Sequence, residues 1–170
     1  YNGDVELIGN LVSSATALNT GVMHFHGTSI NSAPFTNNGN IIVATDENQG
    51  SSVGGLINNE PFTILSPFGF YGTTINNDVI TNNFNVDNYG TFTNNGEIIN
   101  NSNFADHDIF INSQSGTISN LAGNLAIQGT LTNYGSVTSI DSAQVNVYPT
   151  FLFLNEGTMT IDGIGCMTTF

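Results

Sequence analysis

Eight copies of one short pattern, apolar-x-Asn-x-Gly-x-apolar, run along the sequence and constrain its fold more than any other feature. Residues 92–98 are the plainest copy. Successive copies lie 18 to 22 residues apart, and a repeat of this period is typical of a solenoid in which every copy forms one rung. The asparagines at the centres of the copies are Asn19, Asn37, Asn58, Asn76, Asn94, Asn112, Asn133 and Asn155.

The positions around this asparagine form columns when the copies are aligned. The position two before it is apolar in seven of eight copies. The position four after it is apolar except at Gly116, and Ile118 restores that column if this rung carries a two-residue insertion. Glycine accepts a left-handed backbone at little steric cost, so a glycine column two after the asparagine predicts one turn repeated at one corner. These turn glycines are Gly21, Gly39, Gly96, Gly135 and Gly157.

Short segments rich in Thr, Ile, Val and Phe, with alternating polarity and with Asn and Gly between them, predict β-strands. The apolar columns share parity with the asparagine, so in an extended chain the asparagine faces inward near the bend. There it can hydrogen-bond the turn backbone and the asparagine of the next layer. The sequence therefore predicts an all-β protein with essentially no helix. We expect a single β-solenoid (β-helix) domain of about eight rungs over residues 1–170, most regular over residues 17–161.

The charge balance of the chain is extreme, with 13 acidic residues and no Lys or Arg. We expect the chain to bind neither nucleic acid nor anionic lipid, because binding to either needs basic side chains. The sequence has no transmembrane run, and it begins at Tyr1, from which we expect a removed N-terminal segment. A chain with no trypsin site favours a protease-resistant protein that is secreted to the cell surface. The alternative is a low-charge composition bias of extracellular proteins.

Residues 86–98 and 129–137 resemble the haemagglutinin-type and autotransporter-type β-solenoids of microbial surfaces. The resemblance implies the solenoid fold, whereas adhesins, filaments and lyases all share such repeats. Solenoid polysaccharide lyases use a basic residue to abstract the proton, which this chain lacks. The chain also differs from typical adhesins in being short. In these departures it is similar to protease-resistant archaeal envelope proteins, such as the sheath proteins of filamentous methanogens.

The ends of the sequence show none of the polar capping units that stand-alone solenoids need. Residues 151–154 are apolar and residues 165–170 are uncharged, and an open solenoid end templates strand addition. We therefore predict a structural subunit, not an enzyme, of an extracellular filament, tube or sheath that polymerises with copies of itself. Two alternatives stay open: short loops cap the ends locally, or the chain is a cell-surface adhesin or carbohydrate-binding module for surface glycans.

The carboxylates and the one cysteine are the main candidate sites. Cys166 is either a buried free thiol or, in an assembly, an intersubunit disulfide. Carboxylates without an internal cation repel one another, and Ca²⁺ prefers oxygen ligands, so calcium is the one cofactor that the sequence favours. The alternative is that the carboxylates are simply solvated. The best local pairs for calcium are Asp4 with Glu6, Asp46 with Glu47, and Asp106 with Asp108.

Other polar features are weaker candidates. His24 and His26 share one strand face, but a metal site would need a carboxylate that the sequence does not identify. Asn100 begins an Asn-x-Ser sequence and is a candidate for glycosylation. Three Gly-Thr-x-Thr segments resemble the threonine arrays of ice-binding proteins if they stack: Thr91/Thr93, Thr130/Thr132 and Thr158/Thr160. Three tyrosines are too scattered to establish a sugar-binding strip: Tyr71, Tyr89 and Tyr134.

Overall fold

The protein is described by a computed structural model, which covers residues 3–8, 11–13, 17–26, 29–31, 35–43, 51–148, 152–162 and 167–169. These residues form short β-strands and no helix. The strands are β1 (Val5–Ile8), β2 (Leu11–Ser13), β3 (Ala17–Asn19), β4 (Met23–His26), β5 (Ser29–Asn31), β6 (Phe35–Asn37), β7 (Ile41–Val43), β8 (Ser51–Asn58), β9 (Phe62–Ile64), β10 (Phe68–Asn76), β11 (Val79–Asn82), β12 (Val86–Asn88), β13 (Thr91–Asn94), β14 (Glu97–Asn100), β15 (Asn103–Asp106), β16 (Ile109–Asn112), β17 (Thr117–Asn120), β18 (Asn124–Ile127), β19 (Thr130–Asn133), β20 (Ser136–Ser139), β21 (Gln144–Val147), β22 (Phe153–Asn155), β23 (Thr158–Ile161) and β24 (Met167–Thr169).

The strands wind around one core as three faces. The first face is a nine-stranded sheet in the order β1-β4-β7-β9-β11-β14-β17-β20-β23. The second face holds β12, β15, β18, β21 and β24, and the third face holds β3, β6, β13, β16, β19 and β22. The long strands β8 and β10 run through the corner between these two faces, which joins them into a 13-stranded sheet. The pair β2-β5 lies between the first and third faces in chain order.

We number the corners by the face that precedes each, so the third corner leads from the third face back to the first. The pairings between neighbouring rungs are parallel, and the repeat units lie in register. Ile118 pairs with Ile98 on one side and with Val137 on the other, as the predicted two-residue insertion requires. The insertion widens the third corner between β16 and β17, and the apolar column continues beyond it.

The core is built from stacked columns of inward side chains. In-register parallel pairing places each side chain over its equivalent about 4.8 Å away, so like residues pack on like. Phe92 stacks on Phe110 with ring centroids 5.0 Å apart, and it meets Phe70 edge-to-face at 5.1 Å. The core side chains with no exposed surface at all include Ile64, Phe70, Ile80, Phe92, Leu131, Val137 and Val145.

The predicted all-β solenoid is confirmed. The stacked sheets make about six turns, slightly fewer than the eight or so rungs predicted. No segment of the described chain forms a helix with the length and apolarity needed to span a membrane.

The reason that we gave for the turn glycines is wrong. Positive φ occurs in the described residues only at Gly3, Gly123 and Asp141, so the column through Gly96 and Gly135 is not left-handed. A Cβ added at either of these two glycines would collide with a carbonyl oxygen of the rung before it. Glycine recurs in this column because two backbones approach closely there.

Thr74 is a polar side chain within an apolar core column. Thr74 pairs with Leu56 and Phe92 in the column two residues before the asparagine, and it is fully buried. Its hydroxyl has no hydrogen-bond partner. We expect Thr74→Val to raise the free energy of unfolding by about 1–2 kcal/mol in urea titrations, because the substitution removes an unsatisfied buried hydroxyl. The matched control is Thr93→Val, an outward position that is half-buried, and a Thr74→Val protein no more stable than wild type contradicts the prediction.

Candidate functional site

The eight repeat asparagines lie in one column at the third corner, which we call the third-corner ladder. Each side-chain amide donates its Nδ2–H to the Oδ1 of the asparagine in the next rung, at 2.7–2.9 Å. Seven of the eight have no exposed surface, and Asn155 is exposed. The ladder therefore runs as an unbroken chain of amide–amide bonds from Asn19 to Asn155.

Six of the eight ladder amides also donate to backbone carbonyl oxygens at the corner. Asn94 donates to the carbonyl oxygens of Gly96 at 3.2 Å and of Thr117 at 3.0 Å. On the acceptor side, the Oδ1 of Asn37 takes a hydrogen bond from the backbone N–H of Gly39 at 3.2 Å. A buried amide without partners costs several kcal/mol, so these bonds are what allow an asparagine at every rung of the interior.

All bonds of the third-corner ladder point in the same direction along the solenoid. Asn155 accepts a bond from Asn133 at 2.7 Å and, within the described residues, donates none to a further asparagine. The ladder therefore has a direction along the solenoid axis, and its donor end is at Asn155. An asparagine oxygen in a further rung could accept a hydrogen bond from Asn155, as each earlier asparagine of the ladder donates to the next.

The sequence pattern missed the polar ladders of the other two corners. At the first corner, Asn82 donates to Asn100 at 2.7 Å and Asn100 to Asn120 at 2.7 Å. At the second corner, Asn88 donates to the Oδ1 of Asp106 at 2.7 Å. Spacings of 18 and 20 residues mark the first set in the sequence and one spacing of 18 residues marks the second, but the stronger Asn-x-Gly pattern drew attention to one corner only.

A parallel ladder also runs on the outside of the third corner. The side chains that follow the buried asparagines bond to one another at 2.7–2.9 Å, but each donates to the rung before it, opposite to the direction of the interior ladder. Because these amides contact water, each exterior bond stabilises the fold much less than an interior one. The exterior ladder consists of Asn38, Asn59, Asn77 and Asn95.

We expect Asn94→Ala to lower the free energy of unfolding by about 2–4 kcal/mol, because it leaves the buried Asn112 oxygen without its donor and removes one of the three bonds of the Asn76 amide. The neighbouring Asn95→Ala is the matched control, since it removes only an exposed bond to Asn77, and its effect stays within about 1 kcal/mol. Denaturant unfolding of the three proteins checks this difference. Equal losses for the two variants would show that the interior ladder is no stronger than the exterior one.

Asp106 occupies the position of an asparagine in the second-corner column. It has no exposed surface, and its Oδ2 has no partner. Burial raises the pKa of its carboxyl to about 6, against the lowering effect of hydrogen bonds from Asn88 and from the backbone of Asp108. Asp106 is therefore a buried acid whose ionised form the fold disfavours.

The titration of Asp106 predicts a pH dependence with a definite sign. Its pKa is about 6 when folded and 3.8 as the reference value, so the folded state holds the extra proton between these two values. Stability is then greatest below about pH 4 and falls as the pH rises through about 6. We expect Asp106→Asn to match wild type at pH 4 and to exceed it by up to about 3 kcal/mol at pH 8.

The measurement is denaturant unfolding of wild type and variant across this pH range. Asp162→Asn removes an exposed carboxylate and serves as the control for the change in net charge. A difference between wild type and Asp106→Asn that does not grow with pH would contradict a raised pKa at Asp106.

Burial separates one of the two described calcium pairs. Asp106 is buried while Asp108 is exposed, so the two carboxylates do not face one ion. Asp4 and Glu6 are both exposed near the start of the first face, and the described residues contain no group of three metal-ligating side chains. Three predicted site residues lie outside the described residues: Asp46, Glu47 and Cys166.

The predicted glycosylation site is incompatible with the fold. Asn100 has no exposed surface, and its Nδ2, the atom that would carry a glycan, donates to Asn120 in the first-corner ladder. The Gly-Thr-x-Thr segments likewise do not form one array. Those of β13 and β19 lie on the third face with the strand of Ile109 and Ile111 between them, and that of β23 lies on the first face.

The histidines occupy different environments. His24 lies half-buried on the outer side of the first face, and the side chain of His26 is outside the described residues. His107 lies at the second corner, where its Nε2 is 2.9 Å from the Oδ1 of Asp87. Sequence analysis did not single out this pair, since Asp87 and His107 belong to neighbouring rungs.

Two of the scattered tyrosines are in contact. The rings of Tyr71 and Tyr89 stack with centroids 5.0 Å apart, and His107 continues the stack 4.6 Å from Tyr89. Burial and the negative charge of Asp87 both raise the pKa of the Tyr89 hydroxyl. Tyr134 lies apart from this aromatic row, next to Asn133 at the third corner.

Comparisons with protein-family models, with curated proteins and with solved structures found no match to this chain.

Proposed function

We propose that this chain is a structural subunit of an extracellular filament, tube or sheath in which solenoids join end to end by β-strand addition. The polarity of the third-corner ladder is the observation that carries this proposal. Every rung presents a donor amide on one side and an acceptor oxygen on the other, so a rung of a second copy repeats the contacts made inside one copy. Joining then needs no surface beyond the one that stacks the rungs.

The outer strands of the described structure supply the backbone for this joining. Within the described residues, β22 pairs only with β19 and β23 only with β20, while at the other end β1 pairs only with β4. No described strand pairs with the opposite edge of any of the three, and unpaired edges are templates for strand pairing. Asn155 lies on the free edge beside the ladder, where its amide is in reach of another rung.

The charge of the polymer follows from its subunit. Each copy carries 13 acidic residues and no basic ones, so copies repel one another at low salt. We therefore propose that assembly strengthens as salt screens this repulsion. A surface without a trypsin cleavage site suits the cell envelope, and the proposed partner is a second copy of the chain.

Phe153→Pro is the sharpest test of end-to-end joining. The Leu152 carbonyl accepts from Leu131, and the Glu156 N–H donates to Asn133. Backbone direction alternates along a strand, so the Phe153 N–H faces the free edge and proline removes it without breaking a bond to β19. We expect Phe153→Pro to stop growth while the central rungs stay folded.

The control is Phe153→Ala, which removes the same ring but keeps the N–H, and it should still polymerise. Electron microscopy and sedimentation at low and raised salt follow the assembly, and circular dichroism follows the fold. Polymers of wild type and Phe153→Ala, with none of Phe153→Pro, support the proposal. Normal polymers of Phe153→Pro, or a wild-type chain that stays monomeric at all salt concentrations, overturn it.

A carbohydrate-binding or adhesive module is the second candidate. The aromatic row of Tyr71, Tyr89 and His107 favours it, because exposed rings along a solenoid suit sugar contacts. The rings stack on one another, however, so most of their faces are already in contact. A soluble wild-type monomer in the assembly experiment would favour this candidate over the polymer.

A further inference from the structure

The three faces of the solenoid differ in what they present to solvent. In the described part of the first face, the outward side chains include Glu6, His24 and Glu97, and Asp87 points outward from the second face. The third face has two outward columns without a charged residue. These third-face columns contain Leu18, Thr36, Ile57, Ile75, Thr93, Ile111, Thr132 and Leu154, and beside them Thr73, Thr91, Ile109, Thr130 and Leu152.

The third-face columns expose several large apolar side chains to solvent. Leu18, Ile109, Leu152 and Leu154 are 39–63% exposed, and the other isoleucines of the columns are half-buried. The rim at the third corner carries three carboxylates, at Glu60, Asp78 and Glu156, and only Glu156 adjoins the rows from β13 to β22. An apolar strip of this kind, rimmed by polar groups, marks an interaction surface.

The negative charge of the chain determines which partner suits the third face. Two copies that each carry 13 acidic residues repel one another wherever their carboxylates meet. The third face is the one described face on which copies can approach without bringing carboxylates together. A basic partner, by contrast, would gain nothing there and would bind the acidic first and second faces instead.

The outward side chains of the third face give it a shape that is complementary to the same face of a second copy. Rows of small and large side chains alternate along the axis: the Thr91/Thr93 row, the Ile109/Ile111 row, the Thr130/Thr132 row and the Leu152/Leu154 row. A twofold axis between β16 and β19 would set each large row of one copy opposite a small row of the other. Sheets that pack face to face about 10 Å apart interdigitate in this way.

We propose that the third face is a lateral dimerisation surface, on which a second copy of this chain packs antiparallel, sheet on sheet. With the axis between β16 and β19, the four rows from β13 to β22 overlap, a contact about 20 Å long and roughly 10 Å wide, or about 200 Å² per copy. Standard interfaces bury about 800 Å² per partner, so two single copies pair weakly. In an end-to-end polymer the contact repeats along the axis, and the repeats together hold neighbouring filaments side by side.

Lateral pairing and end-to-end joining are separable, and the test uses the Phe153→Pro chain so that strand addition is blocked. Sedimentation equilibrium at raised salt, up to millimolar protein, measures the dimer. Adding Ile111→Glu should weaken the dimer at least tenfold. The matched control is Ile99→Glu, which alters an outward, half-buried isoleucine of the first face and should leave the dimer unchanged.

Folding of each variant is checked by circular dichroism, and a second pair guards against an unfolded Ile111→Glu chain. Thr132→Glu on the third face and Thr138→Glu on the first face are both half-buried outward threonines in strands that follow one another. Loss of the dimer with the third-face variant alone supports the proposal. A monomer at all concentrations, or equal effects of the two faces, overturns it, and neither result bears on strand addition.

Discussion

The hydrogen bond from one asparagine amide to the next is the interaction on which the rest of the solenoid depends. An amide in an apolar interior needs both a donor and an acceptor partner, and an identical amide one rung away supplies both. That exchange works only if rungs are parallel, in register and about 4.8 Å apart. The Asn94 bonds to Asn76 and Asn112 therefore fix the register that the phenylalanine and isoleucine columns also use.

The same geometry explains the properties of side chains that depart from the repeat, such as Asp106 and Thr74. Asp106 keeps the bond from Asn88, but its other carboxylate oxygen has no partner, and burial raises the pKa of the carboxyl. Thr74 similarly places a hydroxyl in an apolar column where no rung offers it an acceptor. Both positions lie in the middle of the chain, where the surrounding rungs hold them in place.

A repeating structure with a polar ladder has two kinds of surface, and the proposed assembly uses both. The ends of the stack repeat the contacts between rungs, and so favour strand addition by another copy. The faces along the axis repeat the outward columns of side chains, and of the described faces the third has outward columns without carboxylates. Growth along the axis and pairing across it thus draw on different residues, Phe153 and Asn155 for one and Ile111 and Thr132 for the other.

Much of the fold follows from the sequence, because the 18–22-residue period gives the rungs and the parity of the asparagine gives its inward direction. Even the insertion before Ile118 is readable, since the apolar column resumes two residues late. What a period cannot give is the place where each strand ends within a rung. A shift of one residue there moves a side chain to the other side of the sheet.

The features decided by the tertiary structure all depend on those strand ends. Burial separates Asp106 from the exposed Asp108, and stacking joins Tyr89 to His107 across neighbouring rungs. The glycine column recurs because backbones approach closely and not because the chain turns left-handed there. The sequence by itself determined which residues repeat. Only the folded corners decided where the other polar and aromatic side chains lie, in the interior, against each other or in solvent, because their direction depends on backbone geometry that spacing does not specify.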